Sequence, residues 1–301
     1  MREPLNGRLG GVFIPVTTNF DAVTGDIAPV PFRDNLRRFV DLPVDGLVLF
    51  GSTGEGVLLE DDEKARLMSF AREVVPPGIP LVGGAGAEST RATIRQTKLL
   101  ADAGADLVLV KPPWYFGPFL TPAALLDHFR AVADASPVPV LVYHMPKYTR
   151  VTLEPGLVGE LARHANVAGL KDSSGDVKRF ADYTSACPQA CRLFVGSGAL
   201  LYTALELGAA GGVVAVGNFA AAMCVDLVRE FRAGNTRRAG EIQGPLTDLH
   251  REIVGTHGPV GVKAALDLLG WAGGAVRTPL RSLADRERKH VARVMQGAGL
   301  L

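Results

Sequence analysis

Eight short apolar runs between residues 11 and 216, separated by longer amphipathic stretches, leave few folds open to this chain. The runs are Gly11–Val16, Gly46–Phe50, Leu81–Gly83, Leu107–Val110, Val138–Tyr143, Val167–Leu170, Leu193–Val195 and Gly212–Val216. Each is apolar throughout instead of alternating, which is the pattern of strands covered on both faces in a parallel sheet. The stretches between them carry helical periodicity and helix-end chemistry. Asp61–Val75 puts Ala65, Met68, Phe70 and Ala71 on one side and charges on the other. Ser89–Ala103 is preceded by Glu88 and stopped by Gly104, and Thr121-Pro122 supplies an N-cap followed by proline in the first turn. Glu154–His164, Asp176–Ala186, Ala199–Leu207 and Ala220–Ala233 follow. Strand and helix alternating eight times predict a (β/α)8 TIM barrel over residues 1–232. Residues 233–301 carry only helical patterns and no Ser- or Pro-rich linker, so they are expected to pack on the barrel as a helical extension. An open doubly wound sheet would use fewer strands and a dinucleotide fingerprint, and neither is present.

Composition narrows the class of function. Of 301 residues, 47% are hydrophobic and 21% charged, which excludes whole-chain disorder. A formal net charge of +1 provides no basic excess for nucleic acid or an acidic membrane. Cys187, Cys191 and Cys224 cannot make a disulfide framework and suggest a reducing compartment. Met1–Gly10 lacks the apolar core of a secretory signal, and no apolar run approaches the ~20 residues of a membrane helix. A soluble, cytoplasmic protein is expected.

Barrel enzymes place their chemistry at the carboxyl ends of the strands. After the second run stands Gly51-Ser52-Thr53-Gly54-Glu55-Gly56, whose hydroxyls and N–H groups suit an anion, although no lysine follows as in a P-loop. The alternative is a helix-capping turn. Only eight lysines stand against 24 arginines, and two of them, Lys111 and Lys171, end apolar runs. Desolvation at a barrel mouth lowers the pKa of an ammonium and frees a nucleophilic amine, as Schiff-base chemistry requires; a lysine snorkelling to solvent is the alternative for either. Composition does not choose between them. Pro112-Pro113 follows Lys111, whereas Asp172-Ser173-Ser174-Gly175-Asp176 offers polar partners and a helix start after Lys171. Tyr143 ends the fifth run and could relay protons or simply pack with its hydroxyl at the rim. The six histidines form no metal-ligand pattern, Cys187 and Cys191 read as structural, Gly83–Gly86 as a tight turn, and Trp114-Tyr115-Phe116 as packing, with a pocket or interface lining as the alternative.

Together, Gly51-Ser52-Thr53-Gly54-Glu55, Tyr143 with Pro146, and Gly169-Leu170-Lys171-Asp172-Ser173 resemble the dihydrodipicolinate synthase / N-acetylneuraminate lyase family of pyruvate-type class I aldolases, from about Gly10 to the tail. The resemblance implies a barrel with a C-terminal helical extension, a homotetramer, and no metal or organic cofactor. It implies that Lys171 forms the imine with a 2-oxo acid and that Tyr143 moves protons. Ser52 and Thr53 would hold the carboxylate, Ser173 would belong to the substrate site, and Gly196 and Val214 would line the pocket through backbone groups.

Specificity is less uniform. Dihydrodipicolinate synthases typically carry an arginine five residues after the tyrosine to bind the aldehyde's carboxylate; here that place is Tyr148, with Lys147 and Arg150 beside it. Their paired tyrosines after the fourth strand are replaced by Trp114-Tyr115, and an indole cannot relay a proton as a phenol does. Glu88–Thr93, Lys171–Val177 and Gly273–Leu280 look closer to 4-hydroxy-2-oxoglutarate aldolases. The expectation is therefore a lyase cleaving a 4-hydroxy-2-oxo acid to pyruvate. The alternatives are dihydrodipicolinate synthase, a sugar-acid aldolase or dehydratase, and a non-catalytic 2-oxo-acid-binding protein.

Overall fold

A computed structural model describes residues 9–301; the Met1–Gly10 reading falls, up to Arg8, outside them. Eight parallel strands close on themselves in chain order: β1 (Gly11–Pro15), β2 (Gly46–Leu49), β3 (Leu81–Ala85), β4 (Leu107–Val110), β5 (Val140–His144), β6 (Val167–Asp172), β7 (Arg192–Val195) and β8 (Gly211–Val213), with β8 pairing back onto β1. The helices are α1 (Pro29–Val40), α2 (Asp61–Val74), α3 (Thr90–Asp102), α4 (Pro122–Ala135), α5 (Pro146–Thr149), α6 (Pro155–Leu161), α7 (Val177–Ala186), α8 (Leu201–Glu206) and α9 (Gly217–Arg232). Beyond them lie α10 (Thr236–Leu249), a π-helical segment (His250–Gly255), α11 (Thr256–Leu268) and α12 (Asp285–Gly297).

The caps follow the sequence: the Ser89 side chain accepts from Ala92 N–H, Thr121 from Ala124 N–H and Asp176 from Arg179 N–H. Some boundaries differ. α1, opened by Pro29 and Pro31, was not anticipated, nor was the single turn α5. β3 runs on to Ala85, so the glycines read as a turn are mostly strand, and the chain turns only at Gly86, at φ 124°. β8 ends at Val213, and the chain bends into α9 three residues earlier than expected, with a kink at Ala220.

Strand parity sorts the side chains into two cores. Phe13, Val48, Leu107, Leu109, Leu141, Tyr143, Phe194 and Val213 fill the barrel interior. Val12, Ile14, Val108, Val110, Val142, Leu170, Val195 and Val214 face the helices. Successive residues of a strand point to opposite faces, so this alternation decides which side chains reach the mouth.

Candidate active site

In the β5–β6 ladder Tyr143 pairs with Lys171, and His144 with Asp172. The first pair faces the interior, the second the helices. Lys171 is buried, and its Nζ lies 4.4 Å from the centre of the Tyr143 ring with no hydrogen bond or ion pair to another of the described residues. Tyr143 Oη meets Ser52 Oγ at 3.3 Å. A cavity of about 220 Å³ brings Lys171, Tyr143, Ser52, Thr53, Ser173, Gly196 and Tyr148 to one surface.

The turn after β2 is closed by Glu55 N–H to Ser52 O and Gly56 N–H to Gly51 O, and Thr18 Oγ1 ties down Gly54 O. The N–H groups of Ser52 and Thr53 are left without partners among the described residues, beside their own hydroxyls. That is an anion cradle of backbone and hydroxyl donors. Ser173 N–H is taken by His144 O and Gly196 N–H by Asp172 O, so those two residues line the cavity without offering N–H groups. Gly196 is required where it stands, because a Cβ there would lie 1.8 Å from Ser173 Oγ.

Val214 does not belong to the site. Its parity turns the side chain into the core between sheet and helices, its N–H goes to Phe13 O, and its carbonyl accepts from Gly217 N–H. Val213 and Ala215 line the cavity in its place. The polar partners after Lys171 also serve differently from expectation. Asp172 faces away from the amine, accepts from His144 Nδ1 at 2.7 Å, and takes Ser174 N–H and Oγ–H as well. Tyr183 gives its hydroxyl proton to Leu153 O beside the same imidazole, and burial raises that phenol's pKa.

Lys111 is held apart from this cavity. Its Nζ donates to Gly86 O at 2.7 Å and sits 3.7 Å above the Trp114 ring, and burial pulls its pKa down to about 8. With Trp114 it lines a neighbouring cavity of about 560 Å³, which shares Ser52, Tyr143, Lys147 and Tyr148 with the first. Glu88 Oε2 fixes this loop by accepting from Trp114 N–H and Tyr115 N–H. Tyr115, Phe116 and Phe119 remain exposed beside it. Tyr148 is half exposed, and burial, with Tyr143 nearby, raises its pKa.

The tail supplies residues that the sequence did not single out. Glu55, in the left-handed region at φ 53°, sends its buried carboxylate to Lys263 Nζ of α11 at 2.5 Å and accepts Arg277 N–H at 2.9 Å. Arg277 forks onto Glu63 at 2.5 and 2.6 Å. His250, at the start of the π-helical segment, lines the first cavity and contacts Ser197. The bond between substrate turn and tail pairs residues far apart in the chain, so no local pattern announces it. Among the described residues no group of three or more His, Cys, Asp or Glu is placed to hold a metal, and no helix is long and apolar enough to cross a membrane.

Comparison with known proteins gives the family. Residues 8–298 match the Dihydrodipicolinate synthetase family profile. A 4-hydroxy-tetrahydrodipicolinate synthase of Syntrophus aciditrophicus is 32% identical over 97% of this chain and 99% of its own length. An uncharacterised DapA-like lyase of Halobacterium salinarum is 36% identical over 99% and 96%. Among solved structures, the Acinetobacter baumannii dihydrodipicolinate synthase, complexed with pyruvate, superposes with a TM-score of 0.92 at 27% identity, covering 97% of this chain and 100% of that one. YagE, a prophage protein from E. coli K12 in complex with pyruvate, gives 0.91 at 28%, covering 97% and 99%. The particular nearness to 4-hydroxy-2-oxoglutarate aldolases is not borne out: these relatives are named as synthases or DapA-like lyases.

Proposed function

Because the chain belongs to the dihydrodipicolinate synthetase family, lyases that work through a lysine Schiff base, we propose that Lys171 forms an imine with the ketone of pyruvate and joins the resulting enamine to an aldehyde. The observation that carries this reading is the amine of Lys171, buried against Tyr143 in the cavity with no hydrogen-bond or ion-pair partner among the described residues, whereas Lys111 is engaged by Gly86 O and Trp114. The amine attacks the keto carbon, water leaves, and the cationic imine acidifies carbon 3, which gives a proton to Tyr143 as its C–H electron pair neutralises the nitrogen and forms the enamine. Carbon 3 then bonds to the aldehyde carbon, whose oxygen takes up a proton, and water returns the lysine. Ser52 and Thr53 hold the pyruvate carboxylate with their hydroxyls and N–H groups. Tyr143, in reach of Ser52 Oγ, moves protons to and from the reacting carbons and oxygens. Ser173 and Gly196 form the wall opposite.

The names of the relatives support aspartate semialdehyde as the aldehyde, giving a 4-hydroxy-tetrahydrodipicolinate synthase. One observation favours the reverse reaction as a second reading, cleavage of a 4-hydroxy-2-oxo acid to pyruvate. No arginine lines either cavity among the described residues, Tyr148 stands where a synthase carries one, and Lys147 is the cation beside it. A homotetramer belongs to the proposal as well, since a second copy would cover the exposed Tyr115, Phe116 and Phe119; sedimentation tests it.

Borohydride added with pyruvate should trap one covalent adduct, and peptide mass mapping should place it on Lys171. An adduct on Lys111, or none, overturns the assignment.

A further inference from the structure

His250 does nothing in the chemistry above, yet the fold takes trouble to place it. α10 ends in a π-helical segment, a rare arrangement that is frequent at functional sites, and His250 is the first residue of that segment. Its ring reaches across to the loop after β7. Gly198 N–H donates to His250 Nδ1 at 3.2 Å, and Ser197 Oγ lies 3.2 Å from His250 Nε2. Gln243 of α10 holds the same loop from the other side by donating to Gly198 O at 2.9 Å. Ser197 and His250 both line the cavity that contains Lys171.

The hydrogen bonds fix the polarity of this pair. An Nδ1 that accepts from a backbone N–H carries no proton, so the proton of the neutral ring sits on Nε2 and is donated to Ser197 Oγ. Burial, with the Lys147 charge nearby, pulls the imidazole down to about 4, which keeps it in that neutral tautomer at ordinary pH. Ser197 thereby has its acceptor side satisfied, and its own O–H has no partner among the described residues. A serine hydroxyl usually donates or accepts at will; this one is left as a donor directed by histidine.

We propose that Ser197, held as a donor by His250, binds an oxygen of the aldehyde-derived half of the substrate, the part beyond carbon 3 of the 2-oxo acid. The inference rests on the Lys171 imine and holds for either direction of the reaction. In condensation and in cleavage alike, the oxygen on that half gains negative charge as the carbon–carbon bond forms or breaks, and a preoriented donor stabilises it. Ser197 touches substrate; His250 is a positioning residue.

The test compares pyruvate alone with two substrates that carry the second half: pyruvate plus aspartate semialdehyde, and 4-hydroxy-2-oxoglutarate. Ser197→Ala should lower kcat/KM on whichever of the two reactions the protein catalyses by about 10- to 100-fold. The rate of borohydride trapping with pyruvate, which has no oxygen beyond carbon 3, should fall by under about threefold, since the lost donor faces no atom of it. His250→Phe should reproduce the loss, adding it to Ser197→Ala should lower the rate no further, and His250→Gln, which can still donate to Ser197, should recover part of it. Equal losses in trapping and turnover would mean a structural role and overturn the inference, as would unchanged turnover in Ser197→Ala. Failure of the unmodified protein to trap pyruvate would instead remove the Lys171 imine on which the inference stands.

Discussion

Replacing Lys263 by methionine tests how the tail supports the substrate turn. The Lys263 side chain is 2% exposed, and it meets Glu55 Oε1 at 2.5 Å and Ala275 O at 2.6 Å while its Nζ lies over the Phe20 ring. Burial lowers the lysine's pKa, and the Glu55 charge opposes that shift. Methionine fills nearly the same volume, so little is lost in packing. What remains is the fully buried Glu55 carboxylate with Arg277 N–H as its one donor. Breaking such a pair costs about 3–5 kcal/mol, because an unpaired charge is left in the interior. At 1.4 kcal/mol per tenfold, the unfolding constant rises roughly 150- to 4,000-fold. With a urea slope of about 3 kcal/mol/M, the midpoint of equilibrium urea unfolding falls by about 1–1.7 M. Glu55 sits in the turn that presents Ser52 and Thr53, so pyruvate trapping by the folded variant should slow as well. Adding Glu55→Gln removes the charge and should restore at least half of the midpoint. The reasoning is refuted if Lys263→Met costs less than about 1 kcal/mol, or if the double variant is as unstable as the single one.

Three further outcomes can be checked directly. Tyr148→Arg should raise kcat/KM for condensation of pyruvate with aspartate semialdehyde by at least about tenfold, because a guanidinium binds a carboxylate through two charged hydrogen bonds; if the unmodified protein already prefers that reaction and the variant gains nothing, Tyr148 is not at the carboxylate's place. Acylation of Lys111 by a small amine reagent, followed by peptide mass analysis, should rise with pH around a midpoint near 8, ahead of the exposed lysines; a midpoint above 10 contradicts the burial described for it. Arg277 holds the Glu63 carboxyl below its usual value of 4.5, so the pair's stabilisation is full above that pH and is lost as pH falls through the lowered value. Arg277→Lys should therefore lower the thermal midpoint at neutral pH, with the deficit narrowing on acidification; a deficit that widens towards low pH refutes the pairing.

The strands were legible because a barrel buries them on both faces, and β4 stands where its apolar run placed it. The site was legible only up to strand parity. A run such as Gly212–Val216 shows that a strand exists but not which of its members faces inward, and Val214 was assigned to the pocket one residue out of phase. The same limit left Lys111 and Lys171 level until the ladder paired Lys171 with Tyr143. His250, Lys263 and Arg277 were beyond reach for a different reason: each meets a partner far away in the chain, and helical patterning in the tail says nothing about which loop it will touch. α1 was hidden by the prolines that open it.

The ends of β5 and β6 carry two dipeptides, Tyr143-His144 and Lys171-Asp172, set side by side in register. For anyone diversifying this protein by mutation and selection, that arrangement divides the mouth into positions that can be varied and positions that cannot. Tyr148 and Lys147 can be randomised to search for new aldehydes, since they sit on the single turn α5, which takes no part in the ladder. The outward members, His144 and Asp172, line neither cavity of the mouth, yet with Tyr183 they fix how the two strand tips lie against the helices, and a library that varies them will shift Tyr143 and Lys171 without changing either. A single-residue insertion in β5 would be worse than any substitution. It would turn the imidazole towards the amine and drive the phenol against Asp172, exchanging the two surfaces in one step. Length changes in a diversified pool should therefore survive only in the loops, and survivors with altered strand tips should carry matched changes in both dipeptides.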